Sequence, residues 1–174
     1  HKSRKNAVPG EGSSKVKLMF IGEGPGFDED RLGRPFVGRS GRLLDKIISA
    51  MGMKREDVFI ANIVKCHPMI DSLHPDERGN DRAPSSDEIN GCIGYVEKQI
   101  EIIKPKIICA LGSVSATTLT GKKAPLGELR GKFHDYKGIK LMPTFHPAAL
   151  LRNPNWKKDA WEDMKKIMKE LACK

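Results

Sequence analysis

"VKLMFIGEGPG", residues 16–26, decides the fold. Its first seven residues are a short apolar run that ends in glycine, which reads as a buried strand. Working outward, "GRLLDKIISAMG" (41–52) sets Leu43, Leu44, Ile47 and Ile48 at helical spacing and closes on glycine. "DVFIANIVK" (57–65) is a second strand, and "HPMIDSLHPDERGNDRAP" (67–84) is a long polar loop rich in turn residues. Ser85 and Glu88 match the S-x-x-E capping box and predict a helix running through Ile103. "PKIICALG" (105–112) is a third strand with a short helix, "SVSATTLTG" (113–121), at its end, and "GIKLMPTF" (138–145) is a fourth. Trp156, Ala160, Met164, Ile167, Met168 and Leu171 form one apolar stripe of a final helix.

Strands that alternate with helices imply an α/β fold: a three-layer α/β/α sandwich around a central, mostly parallel four-stranded sheet. The 174 residues suit one domain, residues 1–174, with 1–15 as an N-terminal extension. No run of 18 apolar residues offers a membrane span, and the opening "HKSRKNAVPGEGSSK" has no apolar stretch of the kind a secretory signal carries. A cytoplasmic protein is the expectation. The net charge of +9, from 31 Lys and Arg against 22 Asp and Glu, favours a polyanionic partner, nucleic acid first; the blander reading is solubility alone. Cys66, Cys92, Cys109 and Cys173 contain no C-x-x-C pair, and scattered cysteines are usually small buried hydrophobes.

In such sheets the ligand site lies beyond the carboxyl ends of the strands. The loops leaving strands one, two and four, "GEGPGFDEDRLGRPFVG", "NIVKCHP" and "FHPAALLR", should therefore converge. Gly22, Gly24 and Gly26 let the backbone approach a ligand and offer it N–H groups, although a tight strand-to-helix turn explains them equally well. The spacing is neither that of a dinucleotide fingerprint nor that of a P-loop. Glu23 and Glu29 belong to an acidic cluster in a chain otherwise basic, and in a cleft such groups orient water or stabilise a developing cation. Phe36 is a loop aromatic, either a core anchor or a stacking platform for a base. Asn62 carries the donor–acceptor pair needed to read the Watson–Crick edge of a flipped base. His146, Leu150, Leu151 and Arg152 lie on what reads as a Pro-bent loop, with His146 near a reacting group and the leucines near its tip.

Together, "GEGPGFDEDRLGRPFVGRSG", "NIVKCHP", "IIKPKIICALG" and "PTFHPAALLR" resemble the uracil-DNA glycosylase superfamily, and within it family 4, the iron–sulfur type. The resemblance runs over nearly the whole chain. It implies an enzyme that flips uracil out of DNA and cleaves the N-glycosidic bond, leaving an abasic site. It further implies that His146 donates to O2, Asn62 pairs with O4 and N3–H, Phe36 stacks on the ring and the GEGPG backbone closes the pocket. Leu150 would be the wedge that fills the gap in the stack, with Leu151 beside it and Arg152 on a phosphate. Where another branch has a water-positioning aspartate, this chain has Gly24; water then falls to Glu23, Glu29 or the backbone, with Glu23 favoured and Glu29 in support. The 67–84 loop lacks the segment of the branch that captures the sugar covalently, so turnover is expected.

The resemblance also implies a 4Fe–4S cluster on four cysteines. Cys92 and Cys109 match its later pair, and the early pair falls before His1, so that 1–15 reads as truncated relative to the family. The alternative is that Cys92 and Cys109 are buried thiols. Uracil-containing DNA and a monomer are the expected partner and state. The competing readings are a glycosylase of the same superfamily for hypoxanthine or xanthine, a DNA-binding module without catalysis, and a phosphate-binding hydrolase or transferase. The last lacks an identifiable nucleophile–base pair.

Overall fold

Every residue of the first strand, β1 (Leu18–Gly22), is buried, and the other elements assemble around it. The computed structural model describes residues 4–173. After β1 come α1 (Phe27–Leu32), α2 (Arg39–Ala50), β2 (Phe59–Asn62), α3 (Ser86–Ile103), β3 (Ile107–Leu111), α4 (Ser113–Thr120), α5 (Leu126–Leu129), β4 (His134–Tyr136), β5 (Ile139–Thr144), α6 (Pro147–Arg152) and α7 (Lys157–Ala172). Short 3-10 turns fill Arg55–Asp57 and Pro154–Trp156.

The sheet order is β2-β1-β3-β5-β4. β2, β1, β3 and β5 run parallel, as the alternating pattern demands, while β4 is antiparallel to β5. The sheet thus has five strands, one more than the four expected from sequence. β4 is three residues long, too short for periodicity to reveal, and it reaches β5 through Lys137 and Gly138 at φ 50° and 86°. Two successive positive φ values make the tight hairpin turn that suits strand twist.

Side-chain alternation divides the core between the two faces of the sheet. Met19, Ile21, Ala61 and Ile63 pack with Val96, Ile100 and Ile103 of α3 and Leu119 of α4. Leu18, Phe20, Ile60, Ile107, Cys109 and Met142 pack with Leu44 and Ile48 of α2 and Met164 and Ile167 of α7. The three-layer sandwich is therefore present. The capping box holds: Ser85 Oγ accepts from the Glu88 N–H at 3.3 Å, and the Glu88 carboxylate accepts from the Ser85 N–H at 2.8 Å. Trp156 leaves the expected stripe; it is exposed and stacks on Phe145 at 4.8 Å between centroids. No helix of the described residues is long and apolar enough to cross a membrane.

The register aligns the strand ends. Gly22 lies opposite Asn62, and Leu111 lies opposite Thr144. From β1 the chain goes to β2 on one side and then returns to β3 on the other, which makes β1 the switch point where the loops splay apart and leave a crevice.

Candidate active site

That crevice is a cleft of about 1100 Å³. Glu23, Gly24, Phe36, Asn62, Gly112 and His146 line it, with Arg78 and Arg82 of the 67–84 loop and Leu151 and Arg152 of α6. The three loops expected to converge do so.

His146 sits just beyond β5 as the N-cap of α6, and its Nδ1 accepts the Ala148 N–H at 3.1 Å. The segment expected to be a loop is helical from Pro147 because proline at the first helical position loses no hydrogen bond and has φ already set. Burial, with the Arg152 charge nearby, pushes the His146 pKa down to about 4. The ring is therefore neutral near pH 7. Since Nδ1 is the acceptor, the proton is assigned to Nε2, which becomes the donor available to a ligand. The Phe36 ring lies 5.5 Å from the imidazole between centroids, tilted by 32°.

Asn62, the last residue of β2, is 1% exposed, and its Oδ1 is buried without a hydrogen-bond partner among the described residues. An unsatisfied buried acceptor costs about 1–3 kcal/mol, so its retention in a cleft marks a place for a donor. Gly22 makes room for it: a Cβ there would stand 2.4 Å from Asn62 Oδ1 and 2.6 Å from Phe36 Cζ. Behind Asn62, the buried Lys65 ammonium donates to the Asn62 carbonyl oxygen and to Gln99 Oε1, both at 2.9 Å. Burial lowers the Lys65 pKa to about 8.

Phe36 is buried yet lines the cleft, so anchor and platform are one residue. Its φ of 51° is left-handed, a conformation that costs a non-glycine residue on the order of 1–3 kcal/mol unless its surroundings enforce it. Glu29 is part of that enforcement. Its Oε1 accepts from the Val37 and Gly38 N–H groups at 2.8 and 2.9 Å, and its Oε2 accepts from the Gly26 N–H at 3.2 Å. The expected role of Glu29 in handling water is corrected accordingly: three backbone donors occupy its carboxylate, which builds the pocket wall.

Glu23 remains the available carboxylate. Burial raises its pKa, and its Oε1 accepts the Val114 N–H at the start of α4 at 2.9 Å. Gly112, at φ 98°, separates it from the histidine: a Cβ there would lie 2.4 Å from Glu23 Oε1 and 3.1 Å from His146 Cβ. A carboxylate and a neutral imidazole thus flank one glycine on the cleft.

Two further expectations are corrected. Leu150 is 1% exposed and packs beside Leu44, Ala160 and Met164, so it cannot be the wedge. The neighbouring Leu151 lines the cleft, partly exposed, with Arg152 exposed after it. Cys92 and Cys109 cannot share a cluster, because Cys92 packs with the α3 face of the sheet and Cys109 with the α2–α7 face. Burial raises the Cys109 pKa well above its usual value, which disfavours the thiolate a metal needs. Among the described residues, no group of three or more His, Cys, Asp and Glu could hold a metal ion. Lys65 was missed from sequence because a lone basic residue in a basic chain carries no local signal.

The profile described as "Uracil DNA glycosylase superfamily" matches residues 9–165. The chain is 46% identical over 182 residues to the type-4 uracil-DNA glycosylase of Saccharolobus solfataricus, covering 99% of this chain and 80% of that one. It is 44% identical over 174 residues to the type-4 uracil-DNA glycosylase of Pyrobaculum aerophilum, covering 94% and 83%. It is 44% identical over 155 residues to the type-4 uracil-DNA glycosylase of Thermotoga maritima, covering 88% and 76%.

Proposed function

Because the chain belongs to the uracil DNA glycosylase superfamily, we propose that it is a DNA repair hydrolase that removes uracil from DNA by cleaving its N-glycosidic bond. The observation that carries the reading is the pairing of a neutral His146, with Nε2–H as donor, and an Asn62 Oδ1 without a partner among the described residues, with the Phe36 ring close to each.

Cleavage leaves negative charge on the departing uracil and positive charge on the sugar. A flipped uracil lies against Phe36, Asn62 Oδ1 accepts its N3–H, and the Asn62 amide N–H donates to O4. A cytosine offers an acceptor at N3, which would face the Asn62 oxygen and lose that bond. His146 Nε2–H donates to O2, where charge accumulates, and a fixed donor there strengthens as the bond breaks. Glu23 stabilises the cationic sugar and orients the attacking water. Leu151, in place of Leu150, fills the gap in the duplex, and Arg152 contacts a neighbouring phosphate. The net charge of +9 holds the strand on either side. One chain supplies the whole cleft, so a monomer is sufficient.

An iron–sulfur cluster does not fit Cys92 with Cys109. Cys66 and Cys92 fit better: both are partly exposed, Cys66 follows Lys65 in the chain, and Cys92 is close enough to act on the Lys65 charge. A cluster held there, with further thiolates, would brace the connection between β2 and α3, and no step of the hydrolysis runs through it.

The test is a duplex oligonucleotide with a single uracil, incubated with the protein and then treated with alkali. Strand breakage at the uracil is expected, and Asn62→Asp should lose much of it, at about 1–3 kcal/mol for a base-edge contact. No breakage by the wild type would sink the proposal.

A further inference from the structure

We infer that Arg55, outside the cleft, is a positioning residue for the base pocket and acts through the main chain of Phe36. The inference rests on Phe36 being the surface on which uracil stacks.

Arg55 opens the 3-10 turn after α2, and its side chain is only 20% exposed. Its Nη2 donates to the Pro35 carbonyl oxygen at 2.5 Å, and its Nη1 donates to the Phe36 carbonyl oxygen at 3.3 Å. The same guanidinium is held in place by carboxylates, through Nη1 to Asp45 Oδ1 at 2.7 Å and Nε to Glu11 Oε1 at 3.3 Å. Glu11 is itself fixed. Arg34 grips both its oxygens at 2.8 and 2.9 Å, and its backbone exchanges hydrogen bonds with Ile60 at 2.9 and 2.8 Å. A continuous line of contacts therefore runs from β2 through Glu11 and Arg55 to the two carbonyls that bracket the Phe36 α-carbon.

Glu29 holds the next two amides, Val37 and Gly38, from the other side. Gly41 completes the clamp: a Cβ there would lie 1.9 Å from the Phe36 carbonyl oxygen, so that carbonyl lies flat against α2. Phe36 is one of three described non-glycine residues with positive φ, and the only one of them that lines the cleft. Releasing its carbonyls lets φ relax toward negative values and swings the ring away from His146 and Gly22. A guanidinium fills this role completely and a lysine only in part. The planar fork of the guanidinium meets two successive carbonyls and two carboxylates at once, which the point charge of a lysine cannot do.

The experiment is a double-mutant cycle on single-turnover uracil cleavage, with wild type, Arg55→Ala, Phe36→Ala and the double variant. Arg55→Ala is expected to slow cleavage on the order of 10- to 100-fold, the scale of a displaced binding group. Affinity for uracil-free duplex should be unchanged, and Arg55→Lys should recover part of the loss. In the Phe36→Ala background, Arg55→Ala should add nothing further. Additive losses, or an Arg55→Ala enzyme that cleaves at the wild-type rate, would overturn the inference. Wild-type cleavage by Phe36→Ala would instead overturn the stacking reading on which it rests. Circular dichroism checks folding, and Arg55→Lys carries the same cycle where Arg55→Ala does not fold.

Discussion

Replacing His146 tests the chemistry most directly, because the structure assigns both its charge and its tautomer. The Ala148 N–H occupies Nδ1, and burial with Arg152 nearby brings the pKa to about 4, so the ring donates as a neutral group. Removing one fixed donor to a developing oxyanion costs on the order of 100- to 1,000-fold in rate, about 3–4 kcal/mol. His146→Ala should show that loss in single-turnover cleavage while DNA affinity changes little. Single-turnover rates between pH 5 and 8 should carry no inflection at 6.5, the ordinary pKa of histidine. An inflection there that disappears in His146→Ala would refute the neutral-donor reasoning, and a variant that binds poorly yet cleaves normally at saturation would reassign His146 to DNA contact.

The same assignment has a stability consequence with a definite sign. In the unfolded chain His146 takes up a proton as pH falls through 6.5, whereas in the folded protein it resists until about 4. Stability is therefore full above 6.5 and is lost as pH falls from there toward 4. The gap between 6.5 and about 4, at about 1.4 kcal/mol per pH unit, comes to about 3 kcal/mol. Urea titrations at pH 7 and pH 4.5 should show a smaller loss on acidification in His146→Ala than in wild type. Equal losses would mean that the imidazole is not desolvated as the structure places it.

The two leucines of α6 should separate cleanly. Leu150→Ala should cost about 2–5 kcal/mol of stability by leaving a cavity against α2 and α7, measured by urea denaturation, with similar losses on single- and double-stranded substrates. Leu151→Ala should leave stability nearly unchanged and slow cleavage of duplex more than of single strands, since only a duplex has a stack to hold open; equal slowing would remove the wedge role. Iron content and visible absorbance, measured on protein expressed from its complete reading frame, should fall in Cys66→Ala and Cys92→Ala and persist in Cys109→Ala. Iron retained in Cys66→Ala but lost in both Cys92→Ala and Cys109→Ala would restore the pairing of Cys92 with Cys109.

What could be read from sequence was whatever is local in sequence. β1, the capping box at Ser85 and the three loops carry their signals within a few residues, and the parallel sheet follows from their alternation. Two of the failures are failures of phase. Read as a loop, "FHPAALLR" gives no reason to choose between Leu150 and Leu151; as a helix it sets them about 100° apart, one into the core and one into the cleft. Proline at its first helical position, after a residue able to cap, was the available clue. Cys109 alternates with Ile108 and so must face away from whatever covers Ile108, but that α3 covers it is a tertiary fact. Glu29 looked like a free acid because nothing in the sequence says that the chain turns back to present the Val37 and Gly38 amides to it.

The carboxylate across Gly112 from His146 is Glu23. In the proposed reaction it serves the sugar side, and the group opposite it is a neutral donor, not an imidazolium. An imidazolium would stabilise the leaving uracil more strongly, yet it would have to survive burial beside Arg152. In the proposed reaction a neutral His146 takes no part in proton transfer, and uracil departs as an anion held by hydrogen bonds while Glu23 acts on the cation. The cost is a weaker donor. The Ala148 N–H at Nδ1 limits that cost by fixing the ring, so the hydrogen bond at Nε2 needs no reorganisation as the glycosidic bond lengthens.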